Sequence, residues 1–208
     1  PPMNLSQMRD EVYNLTGFPV NDGLVTPDKV DGHINRALRH IGNMRPWRWL
    51  QATDADNTAT VAGTDTYTLP SDYVATRSLT IGGSVCRRVT IDELDALPIL
   101  DNRSTPTVYA IEGDSLILYP APADVQTIVH RYNCAERTLT QATMVPLLPA
   151  AYHDIITNRA AYTVLMSTGD ATRAAMFRTE DDEVEKRLLG SQQSVDQRRI
   201  RVRPGGGL

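Results

Sequence analysis

The sequence predicts an α+β protein: a helical bundle built from the N- and C-terminal helices, with an inserted antiparallel β-sandwich-like domain and an extended C-terminal arm. Three observations predict this arrangement. Apolar residues recur at helical spacing near both ends, and threonine-rich segments with frequent turn residues fill the middle. The last residues have no apolar periodicity. The predicted boundaries are 1–50 and 140–190 for the bundle, 51–139 for the β domain and 191–208 for the arm.

The composition is that of a globular protein with a sizeable core. The chain has 208 residues, of which 41% are hydrophobic and 22% are charged. No apolar run approaches the roughly 18 residues that would cross a bilayer, and the N-terminus shows no secretory pattern, so we expect no membrane association. Cys86 and Cys134 are too few for a disulfide framework, and we expect two reduced buried thiols, with one bridge as the alternative.

The net charge of −4 is unevenly distributed along the chain. Residues 51–139 contain twelve acidic residues and six arginines, whereas residues 191–208 contain four arginines and one aspartate. A basic tail on an acidic body indicates an extension that docks on an acidic surface or on phosphates.

Two amphipathic helices are predicted in the first 50 residues. Asn4 caps the first helix, Gln7 completes a capping box, and Gly17 ends it. The second helix has Pro27 as its first residue and ends at Gly42. Their apolar stripes are Leu5, Met8, Val12 and Leu15 in the first, and Val30, Ile34, Leu38 and Ile41 in the second.

Two tryptophans follow the second helix. Trp47 and Trp49 alternate with Arg48, which predicts an extended segment with both rings on one side. The rings then either fill the seam between a helical layer and a sheet or form an anchor for a partner or a nucleobase. We expect interlayer packing and keep the partner anchor as the alternative.

The β domain carries two hairpin signals. Gly82-Gly83 and Gly113-Asp114 are two-residue turn signals, and each separates two apolar runs. Such a loop in the second hairpin gives one continuous apolar face. The cross-strand pairs expected in it are Ile111 with Leu116 and Tyr109 with Leu118. In the first hairpin, the strand after the turn is expected to run from 85 to 89.

Helices are predicted again in the middle and at the end of the chain. Thr90 and Glu93 form a second capping box, which opens a short helix. Pro149 stands at the start of a longer helix that Gly169 interrupts, and another helix continues from 171 to about 190. The apolar stripes of these last two helices are Tyr152, Ile155, Ile156, Ala160, Thr163 and Val164, and then Met176, Phe177, Val184 and Leu188.

The sequence shows no clear motif of a catalytic, cofactor-binding or metal site, so we expect no catalytic residue, no cofactor, no metal and no enzymatic activity. It lacks a glycine-rich phosphate loop, a G-x-S-x-G motif and an H-E-x-x-H motif. Cys86, His130, Cys134 and His153 lack the paired spacing of structural zinc modules. His153-Asp154 is similar to a phosphohydrolase dyad, but the helix dipole explains an acidic residue at this position. A hydrolase activity lost on mutation of His153 would contradict this interpretation.

The arginine-rich tail is the main functional candidate. If it is extended, its alternating residues place three arginines on one side and two aliphatic residues on the other. This pattern is typical of a strand added to the sheet edge of a partner, while nucleic acid and a merely solubilising role are the alternatives. The candidate docking residues are Arg198, Arg199, Ile200, Arg201, Val202 and Arg203.

The order of these features carries a resemblance. The matching segments are Val30-x-x-x-Ile34-Asn35-x-Ala37-Leu38, Trp47-x-Trp49-Leu50, Tyr67-x-Leu69-Pro70-x-Asp72-Tyr73, the hairpin between Pro106 and Pro122, and Leu148-Pro149-x-x-Tyr152. In order and spacing they resemble the head-to-tail adaptor (connector) proteins of tailed bacteriophages, especially the tail tubular protein A type of short-tailed phages. The resemblance covers most of residues 5–190 and leaves the basic tail outside.

The resemblance implies a structural virion protein that is made in the host cytoplasm and sits at the head–tail interface. Such adaptors form a homo-oligomeric ring, usually of twelve copies, between the portal protein and the tail nozzle or tube, with tail fibres as a further candidate partner. The ring continues the channel for DNA packaging, retention and ejection, and double-stranded DNA passes through it without specific binding. The alternative is a nucleic-acid-binding protein that uses the C-terminal arginine arm.

Overall fold

The computed structural model confirms an α+β chain and divides it into two compact units. The helical unit comprises Pro1–Ile41 and Arg137–Leu208, and the β unit comprises Gly42–Glu136. The predicted arm, residues 191–208, lies outside the residues that the structure describes. The described residues are 1–20, 22–98, 103–178, 186 and 188–190.

Along the described part of the chain, two helices come first, eight strands with one short helix among them follow, and helices return after the last strand. The helices are α1 (Leu5–Thr16), α2 (Pro27–Asn43), α3 (Ile91–Asp95) and α4 (His153–Ser167), and residues 171–178 are also helical. The strands are β1 (Gln51–Thr53), β2 (Thr66–Thr68), β3 (Tyr73–Ile81), β4 (Ser84–Val85), β5 (Arg87–Arg88), β6 (Val108–Glu112), β7 (Ser115–Tyr119) and β8 (Ile128–Cys134).

The first two helices form where the sequence predicts them. The capping box of Asn4 and Gln7 is present at the start of α1, and Gly17 ends this helix with a φ of 70°, a conformation that glycine adopts without steric cost. Helix α2 begins at Pro27 and ends at Asn43, one residue beyond the predicted end. The predicted apolar stripes are buried, except that Leu15 is half-buried.

The later helices depart from the prediction in two details. A 3₁₀ turn, Ala150–Tyr152, follows Pro149, and the α-helix begins only at His153. Met176, predicted to face the core, is 70% exposed, whereas Ala174 is fully buried. Both residues lie in the helical segment 171–178. Because Ala174 is buried and Met176 is exposed, the buried face of this segment is rotated relative to the predicted face. The predicted core position Val184 lies outside the described residues, and Leu188 is buried.

The β unit is a two-sheet sandwich. One sheet has the strand order β1-β8-β3-β4 and is antiparallel throughout. The other has the order β2-β7-β6-β5, in which β5 runs parallel to β6. Side chains of both sheets share one core, which contains Tyr67, Leu69, Leu79, Ile81, Cys86, Tyr109, Leu116, Leu118 and Ile128.

The second hairpin has the predicted register, with Ile111 opposite Leu116 and Tyr109 opposite Leu118. The first hairpin begins as predicted at Gly82-Gly83, but the predicted strand from 85 to 89 is wrong. Its residues divide into β4, which belongs to the first sheet, and β5, which belongs to the second. Cys86 lies between these two strands. Its amide donates a hydrogen bond to the carbonyl of Leu79, and its thiol donates one to the carbonyl of Pro106. The chain therefore crosses from one sheet to the other at this buried residue.

The tryptophan segment is not extended. Arg48–Leu50 form a 3₁₀ turn, which the amide of Leu50 closes by donating to the carbonyl of Trp47. The two rings still lie together, with centroids 4.4 Å apart and planes at 19°. Because residues three apart lie on one side of a 3₁₀ turn, this conformation buries Trp47 and Leu50 together, which an extended segment would not do.

Candidate functional site

A group of polar side chains, of which His130 and Asp54 are buried and Thr76 is half-buried, connects three strands of the first sheet. His130, on β8, is fully buried, and its Nε2 lies 2.9 Å from Oγ1 of Thr76 on β3. Its Nδ1 lies 3.6 Å from Oδ2 of Asp54, the residue after β1. The amide of Asp54 donates to the carbonyl of His130, so backbone and side chains join the same strands.

Burial and hydrogen bonding set the charges of this group. Desolvation lowers the pKa of His130 more than the nearby carboxylate of Asp54 raises it, so the imidazole is neutral. Burial raises the pKa of Asp54, but hydrogen bonds to its carboxylate from the side chain and amide of Asn57 and from the amide of Asp56 lower the pKa by more than burial raises it. The net result is a pKa below the ordinary value, and the carboxylate is ionised.

The order of carboxylate, imidazole and hydroxyl is that of a nucleophilic triad, but the geometry is structural. The 3.6 Å separation of His130 and Asp54 is too long for the hydrogen bond that orients a catalytic imidazole. The hydroxyl of Thr76 also lies 3.1 Å from the hydroxyl of Tyr73. His130, Asp54 and Thr76 line neither of the two surface grooves of the β unit. We therefore interpret the group of His130, Asp54 and Thr76 as structural: it stabilises the register of β1, β3 and β8.

The other titratable residues considered from the sequence also have structural partners. Nδ1 of His153 accepts the amide of Met3 at 3.0 Å, and its Nε2 lies 3.0 Å from the carbonyl of Leu148. Cys86 and Cys134 are buried thiols that form no disulfide, and burial raises the pKa of the Cys86 thiol. In the part of the chain that the structure describes, no three His, Cys, Asp or Glu residues are grouped so that they could hold a metal ion.

The tryptophan pair offers only one of its rings to the surface. Trp47 has no exposed area, whereas Trp49 is half-buried. The guanidinium carbon of Arg45 lies 5.3 Å from the centroid of Trp47, which is within the range of a cation–π contact. A partner that used this pair would contact Trp49. The other predicted site, residues 198–203, lies outside the described residues.

An open groove of about 640 Å³ lies on the β unit beside α3. Its apolar floor includes Ile91, Leu94, Leu97 and Ile117, and its rim includes Asp65, Asp95 and Glu112. We call these seven residues the α3 groove. A second groove, of about 480 Å³, lies where Gly42–Pro46 meet Leu50, Val74, Ala75 and Asn133–Ala135.

The model of the SU10 adaptor protein family matches residues 3–204. The chain belongs to this family. It is a phage adaptor protein, a structural component of the virion. The match extends to residue 204, so it includes residues 198–203, which the resemblance noted from the sequence had left outside. A search of curated proteins finds no match.

The adaptor has no described helix with the length and apolar character needed to cross a membrane.

The sequence indicates the α3 groove and the group around His130 only in part. The α3 groove had a signal, because Ile91, Leu94 and Leu97 recur every third residue among acidic residues. The sequence also indicates that His130 is buried, because the alternation along β8 places its side chain on the same inward face as Ile128 and Tyr132. Which residues meet it from β1 and β3 depends on strand pairing, which no local pattern indicates.

Proposed function

We propose that this adaptor is of the tail tubular protein A type and forms a ring of about twelve copies between the portal and the tail nozzle or tube. The observation that carries the proposal is the family match over nearly the whole chain, from residue 3 to residue 204. In this position the ring continues the DNA channel during packaging, retention and ejection, and tail fibres are a further candidate partner.

The mechanism of such a ring is assembly without a chemical step. Each copy presents one surface to its neighbour on one side and a different surface on the other, and the ring closes when the rotation between copies closes. Contacts with the portal and the tail are then repeated around the ring. Because the copies are linked, weak individual contacts add up to a firm joint.

The two oppositely charged parts of the chain are assigned to different contacts. The basic arm, with Arg198, Arg199, Ile200, Arg201, Val202 and Arg203, docks on the portal. The acidic β domain, with twelve acidic residues against six arginines over residues 51–139, contacts the tail. Acidic side chains that face the channel repel DNA and give it no binding minimum, so the genome slides past.

A portal-capture experiment tests the role of the arm. The full chain and a chain without residues 191–208 are mixed separately with purified portal, and the complexes are examined by sedimentation and negative-stain microscopy. We expect rings on the portal with the full chain and none with the shortened chain. A full-length chain with Arg198, Arg199, Arg201 and Arg203 changed to Lys is the matched control, because it keeps the charge and the length.

Two different results would contradict two different parts of the proposal. Portal attachment that survives removal of residues 191–208 contradicts docking through the arm and leaves the ring in place. A full chain that never associates with portal or tail proteins contradicts the position in the particle. The family match gives no support to the alternative of a nucleic-acid-binding protein.

A further inference from the structure

Helix α3 covers the second sheet incompletely. None of its residues is fully buried, although Ile91, Leu94 and nearby Leu97 pack against a small core formed by Val89, Val108 and Ala110. Ile117 lies on the opposite face of β7 from the core residues Leu116 and Leu118 and is half-buried. The α3 groove is therefore an apolar surface that the described residues leave open to solvent.

The charge around this surface has one sign. Asp65, Asp95 and Glu112 are all exposed on the rim, and the described residues that line the groove include no lysine or arginine. An apolar floor with carboxylates beside it suits a segment that carries aliphatic and basic side chains in turn. Long arginine side chains can place their guanidinium groups at the rim while their neighbours enter the floor.

This chain contains a segment with that chemistry. Residues 199–203 read Arg-Ile-Arg-Val-Arg, so an extended backbone turns two aliphatic side chains to one side and three arginines to the other. The segment lies within 191–208, which has four arginines and one aspartate. Its charge complements that of the groove, and its two aliphatic residues match the apolar floor.

We propose that the α3 groove of one copy binds residues 198–203 of a second copy before the adaptor meets the portal. Exchange of arms between copies is a head-to-tail contact, the kind that closes a ring. The inference rests on the proposed function, in which the copies are ring neighbours and the portal later receives the arm. The groove and the portal then compete for the same arginines, and the free arm is kept from nucleic acid until the portal displaces it.

Peptide binding tests the groove directly. The probe is a fluorescent peptide of residues 191–208, and the acceptor is the full-length chain with Arg199, Ile200, Arg201, Val202 and Arg203 changed to serine, so that its own arm does not compete. We expect saturable binding by fluorescence anisotropy. Changing Asp65→Asn, Asp95→Asn and Glu112→Gln together should weaken it by about tenfold or more.

A matched acceptor separates the groove from general charge attraction. Asp56→Asn, Asp114→Asn and Asp124→Asn remove the same three charges from exposed positions of the β unit that do not line the groove. This acceptor should bind the peptide within about twofold of the starting acceptor at moderate salt. A peptide with Ile200→Ser and Val202→Ser keeps the charge but loses the aliphatic contacts, and we expect it to bind about tenfold more weakly.

Sedimentation of the unsubstituted chain identifies which copy supplies the arm. We expect association that grows with concentration and is lost in the Asp65/Asp95/Glu112 variant. Equal weakening by the two sets of acidic substitutions, or no saturable binding, overturns the proposal. A chain that stays monomeric while the peptide binds overturns exchange between copies in favour of docking within one copy. Portal capture by the groove variant, with its arm intact, should persist, so failure of the groove is distinct from failure of the proposed function.

Discussion

At the scale of single residues, the neutral His130 has a consequence for stability. Burial lowers its pKa below the ordinary 6.5, so His130 binds a proton more weakly in the folded chain than in the unfolded chain. The same direction holds for His33 and His153, whose pKa values burial also lowers. As the pH falls through 6.5, the unfolded state gains protons that the folded state does not. The free energy of unfolding therefore falls on acidification.

Replacement of His130 should reduce this pH dependence. Between about pH 7 and pH 5, one excluded proton contributes a slope of up to about 1.4 kcal/mol per pH unit, and His130→Gln should make the slope of the free energy of unfolding shallower by part of that amount. Urea unfolding at several pH values measures it. Thr76→Val is the control, since it removes a hydrogen bond from the imidazole and lowers stability but keeps the titrating ring. A slope that is the same in the His130→Gln chain and the original would contradict the assignment.

Alanine variants of the two tryptophans should distinguish a role in core packing from a role in partner binding. Trp47 is fully buried, and Trp47→Ala should lower the free energy of unfolding by about 3–5 kcal/mol. Trp49 is half-buried, so Trp49→Ala should cost clearly less. If Trp49 is also a partner anchor, its alanine variant will fold but capture less portal or tail protein than the original chain. Thermal unfolding and the capture assay, applied to both variants, distinguish the two roles.

At the scale of elements, Asn35 explains how α2 holds the chain that follows the β unit. Its Oδ1 accepts the amide of Leu139 at 2.8 Å, and its Nδ2 donates to the carbonyl of the same residue at 2.9 Å. The side chain thus pairs with a buried residue 104 positions away, as a neighbouring strand would. A polar residue beside the apolar stripe of α2 is therefore required by the segment that it binds.

Loss of this pair should be measurable. Asn35→Ala leaves the amide and carbonyl of Leu139 without their partner, and it should lower the free energy of unfolding by about 1–3 kcal/mol. Asn14→Ala on α1 is the matched control, because Asn14 is an exposed asparagine in a helix and its loss should change stability by at most about 0.5 kcal/mol. Urea unfolding of both variants gives the comparison. Equal effects would show that the pairing with Leu139 contributes nothing.

The elements that the sequence predicts well are those whose determinants lie close together in the chain. The sequence predicts every cross-strand pair named for the second hairpin, because a two-residue loop determines its register. The change of sheet at Cys86 was not predicted, because it depends on Pro106 and Leu79, which meet this residue only in the folded sandwich. The α3 groove is similar: its apolar spacing is local, whereas the acidic rim combines residues of three separate segments, 65, 95 and 112.

At the scale of the whole molecule, the arm and the acidic body should act against each other on DNA. The four arginines of residues 191–208 attract phosphates, while the rest of the chain is strongly acidic, and the net charge is −4. This balance suits the proposed position of the ring around the DNA channel, because a genome that bound to the channel wall could not slide. Proteins that act by binding DNA need the opposite, a positive surface that adds to the attraction of the arm.

Comparison of the peptide with the full chain tests that balance. The peptide of residues 191–208 should bind duplex DNA more tightly than the full chain does, because the acidic body repels the duplex. With four arginines, the slope of log K against log salt should be no steeper than about −3.6 for the peptide. Anisotropy with one labelled duplex, from about 50 to about 200 mM salt, measures both. If the full chain binds more tightly than the peptide, or has a steeper slope, its folded surface takes part in binding DNA and the nucleic-acid-binding alternative returns.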